Sequence, residues 1–208
     1  MQVTDEDNIR LKKAYGGGPL YDLGVYCINA ARYFFQDEPT EVFAYHANNG
    51  ERRFREIEEM ASVILRFPRE RLATFTVSFG AADTVTYRVI GTKGGLRVDN
   101  GYEYVKEIRQ QLTVDGKKQK FTFEKRDQFA PELIYFSECI LNGKTPEPSG
   151  REGLADVRVI QAIHESAKSG CPVKLERFQR KERPSMQQEI RRPPVQKPDL
   201  VHASPPSG

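Results

Sequence analysis

Between residues 41 and 123 the chain is a succession of short runs in which apolar and polar residues alternate, with only turn-sized gaps between them. Period-two alternation marks strands with one face buried. Parallel neighbours need crossovers of a dozen or more residues, usually helical. No helix-period segment intervenes here, so the strands must pair antiparallel. The runs cover residues 41–47, 60–67 and 72–79, the last two joined as a hairpin by Pro68-Arg69-Glu70-Arg71. Residues 84–90 follow, then a glycine-rich turn over 91–95 and a short run at 96–98. Two more, 105–114 and 119–123, flank the turn at Asp115-Gly116.

Helical patterns lie before and after this block. Over residues 20–35, Leu20, Leu23, Cys27, Ala31 and Phe34 recur at helical spacing as one apolar stripe, and Pro39 ends the segment. A second helix is expected over 129–141, with Pro131 in its first turn and Asn142-Gly143 after its last. A third spans 151–169, with Leu154, Val157, Ile160, Ile163 and Ala167 as its apolar stripe and Gly170 as its stop. Residues 173–175 read as a short strand able to rejoin the sheet. The expected fold class is α+β, a mostly antiparallel open sheet with helices packed on one face. Residues 1–176 form that domain. Residues 177–208 form a proline-rich basic tail holding six of the thirteen prolines: Pro184, Pro193, Pro194, Pro198, Pro205 and Pro206.

Composition excludes several function classes. Of 208 residues, 38% are hydrophobic and 29% charged, a balance that supports one sizeable core. The net charge of +3 is tail-borne: seven Lys/Arg against three Asp/Glu from residue 177 onward give that stretch +4 and leave the body at −1. A near-neutral body offers no footprint for nucleic acid. No apolar run reaches the length of a membrane span, and the first residues lack the apolar centre of a secretory signal, so a cytoplasmic location is expected. Cys27, Cys139 and Cys171 show neither disulfide nor metal-ligand spacing, and Cys27 and Cys139 read as small buried hydrophobes. His46 and His164 look like isolated histidines in surface or core roles, and no metal site is expected.

The informative stretch is Gly16-Gly17-Gly18-Pro19-Leu20-Tyr21-Asp22-Leu23-Gly24-Val25-Tyr26, continuing to Asn29. Glycines before a helix leave backbone that another chain or a ligand can approach closely. Asp22, Tyr26, Asn29 and Tyr33 form a second stripe opposite the apolar one, a carboxylate, an amide and two phenols where a free surface normally carries Lys, Glu and Gln. Gly24, costly inside a helix by about 1 kcal/mol, falls on the sheet side and suits a close helix–sheet approach.

This stretch resembles the Gly-Gly-Gly-x-Leu-x-Asp-x-Gly-x-(His or Tyr) signature of the glucose–fructose oxidoreductase, inositol dehydrogenase and MocA-like family. The tyrosine is closest to the glucose–fructose oxidoreductase branch. The likeness continues, in order, through residues 52–68, 87–99 and 149–173, and so covers roughly residues 1–176. It implies a C-terminal, substrate-binding and oligomerising domain in which Asp22 and Tyr26 are the catalytic pair. Asn29 then matches a substrate-contact position, and Gly16, Gly17 and Gly18 lie beside the cofactor. It also implies a homo-oligomer formed through the sheet face, a sugar or polyol substrate, and NADP or NAD held by an N-terminal Rossmann domain. No G-x-G-x-x-G follows a strand in this chain and no Glu-Lys-Pro occurs in it; Lys197-Pro198 lacks the glutamate. The Rossmann domain and the lysine are therefore expected to be missing, no cofactor is expected to bind tightly, and the chain reads as a fragment or truncated product.

Oxidising an alcohol sends a hydride to the nicotinamide and a proton to a base. A tyrosine, with an ordinary pKa of about 10, serves as that base only beside a cation that stabilises its phenolate. Asp22, one turn earlier, suits a hydrogen bond to the substrate hydroxyl. A second reading remains open: a non-catalytic dimerisation module derived from the same family.

Overall fold

The computed structural model describes residues 1–104, 106–147, 149–179, 183 and 185–193. Lys197, His202 and all the tail prolines except Pro193 lie outside these residues. Contacts divide the chain into two compact units, Met1–Asp83 with Glu147–Arg183, and Thr84–Pro146 with Pro184–Gly208.

In the first unit, strands β1 (Glu41–Ala47), β2 (Met60–Phe67), β3 (Arg71–Ser78) and β8 (Val173–Lys174) form an antiparallel sheet ordered β3-β2-β1-β8. Ala47 opposite Met60 and Met60 opposite Ser78 fix the register. The alternation seen in the sequence does its expected work: Val42, Ala44, Ala61, Val63, Leu65, Phe67 and Val77 face inward and are buried. Tyr45, Ser62, Ile64 and Leu72 face out. Helices α1 (Val25–Phe35) and α3 (Gly150–Ser169) cover the inner face, closing one core with Leu20, Ile28, Val159, Ile160 and Ile163. A smaller core of Val3, Leu11, Phe54, Ile57 and Phe79 ties the N-terminal segment to the end of β3. Arg53 and Phe54 are structural there. Arg53 stacks on the Phe54 ring at 4.5 Å and donates to the Val3 carbonyl at 2.9 Å.

In the second unit, β4 (Thr86–Gly91), β5 (Gly94–Asp99), β6 (Ile108–Val114) and β7 (Lys117–Phe123) form an antiparallel meander, accompanied by α2 (Phe129–Leu141). Asp115 and Gly116 both take positive φ, the geometry a tight β-hairpin demands. The strands read as one succession in the sequence thus form two four-stranded sheets. Ser78 explains the break locally. Its hydroxyl accepts from the Gly80 and Ala81 amides at 2.9 and 3.1 Å, turning the chain out of the ladder.

Both long stripes differ from the simple helical reading. Residues Leu20–Gly24 form a π turn, and α1 begins only at Val25. The wider turn changes the rotational phase of α1. The deepest positions are then Leu20, Gly24, Ile28 and Arg32, while Phe34, expected inside, is exposed. In α3, Leu154 and Val157 are exposed, and Glu152, Ala155, Asp156 and Val159 are buried instead. The inward residues of the two helices meet, Arg32 pairing with Glu152 and Asp156. Among the described residues no helix is long and apolar enough to cross a membrane.

Candidate active site

The triple glycine is shaped by its own chain. Gly16 and Gly18 take φ of +72° and +119°, conformations that other residues rarely adopt. Gly17 packs so closely that a Cβ there meets the Arg10 carbonyl oxygen at 2.5 Å. The Gly16, Gly17 and Gly18 amides donate to the carbonyls of Lys13, Lys12 and Arg10 at 3.1, 3.0 and 2.9 Å. All three N–H groups are therefore used within the chain, and the loop does not fit a dinucleotide pyrophosphate, which needs free amides.

From this loop the chain enters the π turn that carries Asp22. Such turns concentrate at functional sites, where they re-aim a side chain at some cost to the helix. Gly24 faces the sheet as the sequence suggests: a Cβ there lies 3.1 Å from Leu20 Cδ2 and 3.7 Å from Phe75 of β3. Tyr26 comes next on the outward face with 53% of its surface exposed, and Asn29 and Tyr33 continue that face. Asp22 is half-buried, and Arg10 Nε donates to its Oδ2 at 3.0 Å. Arg10 is a functional candidate that the sequence did not single out. Its partner lies twelve residues away, across a loop that no periodicity describes.

Beneath the outward face lies an ionic cluster that the patterns missed. Arg32 is 1% exposed. It donates to Glu38 through Nε at 2.8 Å and Nη2 at 3.2 Å, pairs with Glu152 at 3.0 Å, and bonds Asp156. Arg183 joins through Glu38 at 3.0 Å. Burial, and the neighbouring Glu38 charge, push the Asp156 carboxyl above the ordinary range despite the opposing pull of Arg32. Arg32 stays protonated, since its carboxylate partners outweigh the cost of its burial. Asn29, expected at a substrate contact, donates to Asp156 at 3.4 Å. That bond ties the exposed face to the cluster.

The two histidines expected to stand alone are neighbours. The α3 helix is registered on β1 by the Ser166 hydroxyl, which accepts from the Ala44 amide at 3.1 Å. Two residues away along each element, His46 and His164 meet edge to face with ring centroids 5.1 Å apart. Burial, and then the nearby His164, lower the His46 pKa to about 4. Burial followed by the Lys13 charge lowers that of His164. Glu58 completes the group, and burial raises its carboxyl.

The fold and the outward pair define a class: an antiparallel-sheet domain layered with helices on one face, presenting a carboxylate from a π turn and a phenol from the helix that follows it. The chain belongs to the GFO/IDH/MocA family, whose C-terminal domain profile matches residues 2–97. The chain is 29% identical over 175 residues to D-xylose 1-dehydrogenase [NADP(+)] of Haloarcula marismortui, covering 84% of this chain and 49% of that protein. It is 30% identical to D-xylose 1-dehydrogenase (NADP(+)) 2 of Haloferax volcanii, covering 82% of this chain and 52% of that one. Among solved structures, aldose-aldose oxidoreductase from Caulobacter crescentus, complexed with glycerol, superposes with a TM-score of 0.77 at 34% identity, over 84% of this chain and 52% of that one. The chain thus spans about half the length of the curated relatives it matches.

Proposed function

We propose that this chain is the substrate-binding and oligomerising half of an NAD(P)-dependent sugar or polyol oxidoreductase. The observation that carries the reading is the pair of Asp22, on the π turn, and Tyr26, at the start of α1, turned outward from a well-packed core. Tyr26 takes the proton from the substrate hydroxyl. Asp22, held by Arg10, orients that hydroxyl, and Asn29 contacts the sugar further along the same face. The hydride chemistry belongs to a dinucleotide that these residues do not hold, so Tyr26 also depends on a cation from a second, nucleotide-binding domain to stabilise its phenolate. The relatives point to aldoses, D-xylose among them, as the substrate class.

The experiment uses the 208-residue chain as it stands. Titrated with D-xylose and D-glucose, it shows weak, saturable NMR shifts centred on Asp22, Tyr26 and Asn29, and neither binds NADP tightly nor reduces it. Reduction of NADP by either sugar with this chain alone overturns the division of labour. Once the chain is reconstituted with a nucleotide-binding domain, Tyr26→Phe lowers kcat by about 100-fold or more, the usual range for a lost acid–base group, and leaves the fold intact. Unchanged turnover removes Tyr26 from the mechanism.

A further inference from the structure

A second polar cluster lies under the loop that launches the π turn, and the oxidoreductase reading leaves it unused. His46 stands near the end of β1, His164 in α3, and Glu58 in the segment leading into β2. One ligand atom from each lies within 4.8 Å of the other two. The Glu58 carboxylate reaches the loop: its Oε1 lies 3.2 Å from where a Gly18 Cβ would stand. Tyr21, in the π turn, packs its ring against His164 with centroids 5.9 Å apart.

Two atoms of this cluster are buried without a hydrogen-bond partner among the described residues: His46 Nε2 and Glu58 Oε1. Native folds rarely leave such atoms unsatisfied, because burying them unpaired is costly. Here a nitrogen and a carboxylate oxygen of one cluster are both left over, with a second imidazole edge-on to the first. Two imidazoles and one carboxylate suit a first-row divalent cation of borderline softness. Magnesium and calcium prefer oxygen-only shells.

We propose that His46, Glu58 and His164 form a three-ligand site for a divalent cation of the zinc class, fastening the sheet, α3 and the triple-glycine loop to one another. Zinc bonds of about 2.0–2.1 Å set ligand atoms roughly 3.4 Å apart in a tetrahedron, so atoms that lie within 4.8 Å of one another close by at most about 1.4 Å on binding. Three protein ligands leave a fourth position for water. The ion satisfies both orphaned atoms at once. Because Glu58 also packs against Gly18, occupancy is coupled to the loop that launches the turn presenting Asp22, whatever substrate that turn serves.

The test titrates Zn2+ and Co2+ into the metal-free 208-residue chain. One equivalent binds, and at a hundredfold excess over its Kd zinc raises Tm by roughly 5–10 °C. Bound Co2+ shows the visible bands of low coordination number with no thiolate charge-transfer band, which separates this site from Cys27, Cys139 and Cys171. Glu58→Gln, nearly isosteric, and His164→Gln each weaken binding by more than the ~10–100-fold typical of an outer-shell change, while circular dichroism shows the metal-free variants folded. Failure of the unaltered chain to bind one equivalent at micromolar metal overturns the proposal. So does a thiolate band, or binding that survives Glu58→Gln in a folded protein.

Discussion

Arg32 is the residue on which the first unit's interior turns. One guanidinium faces Glu38, Glu152 and Asp156, and Arg183 adds a further cation to Glu38. Replacing Arg32 with Met leaves a group of buried carboxylates without their counter-ion, a change that costs about 3–5 kcal/mol. Urea denaturation at neutral pH measures it, and a loss under about 1 kcal/mol shows that the carboxylates find other partners. His46 sets a different dependence. It titrates at about 4 when folded, against about 6.5 unfolded, with His164 and Glu58 beside it and Lys13 near His164. As pH falls from 6.5 to 4 the unfolded chain takes up a proton that the folded chain refuses. This contribution is therefore fully present above 6.5 and is lost across that window. For a half-buried ring the loss is on the order of 1–2 kcal/mol after allowance for solvent screening. In paired melts at about pH 7 and 4.5, metal-free His46→Gln shows a correspondingly smaller drop than the unaltered chain, and equal drops exclude His46 as the source. Little of this was legible in the sequence. A buried arginine breaks the rule by which periodicity is read, and two histidines on different elements meet only once α3 is laid along β1.

The elements themselves were largely legible. The strands Glu41–Ala47 and Met60–Phe67 and the helix Phe129–Leu141 have the bounds their patterns suggest, because alternation, early proline and terminal glycine are local signals. The phase of α1 was not legible, since a π turn has no composition of its own. It displaced Phe34 outward and Arg32 inward, and it carried the acidic start of α3 inward to match. The Asp22–Tyr26 face was readable because chemically unusual side chains recur on it at helical spacing, whereas Arg10, reaching Asp22 across a loop, was not. The glycine loop gives a sharp prediction at this scale. Gly17→Ala forces a Cβ against backbone carbonyls that cannot rotate aside, and it destabilises by about 2 kcal/mol or more. Chemical denaturation reads that loss, and an unchanged midpoint shows that the 10–18 segment is free to move.

For the whole molecule, the proposal is a homodimer formed through the outer face of the first sheet. That face carries Tyr45, Ile64 and Leu72, exposed at 63%, 43% and 60%, around the Ser62–Thr76 hydroxyl pair. Apolar groups clustered on an otherwise polar sheet suit a partner surface. Sedimentation velocity at micromolar concentration gives a dimer, and Ile64→Lys shifts it to monomer with no loss of secondary structure. A monomeric unaltered chain ends the proposal. The π turn also bears on comparison across that family. A relative built without its extra residue reaches the same outward direction one position earlier, so transplanting a substitution by residue count swings it about 100° around the helix, off the outward face.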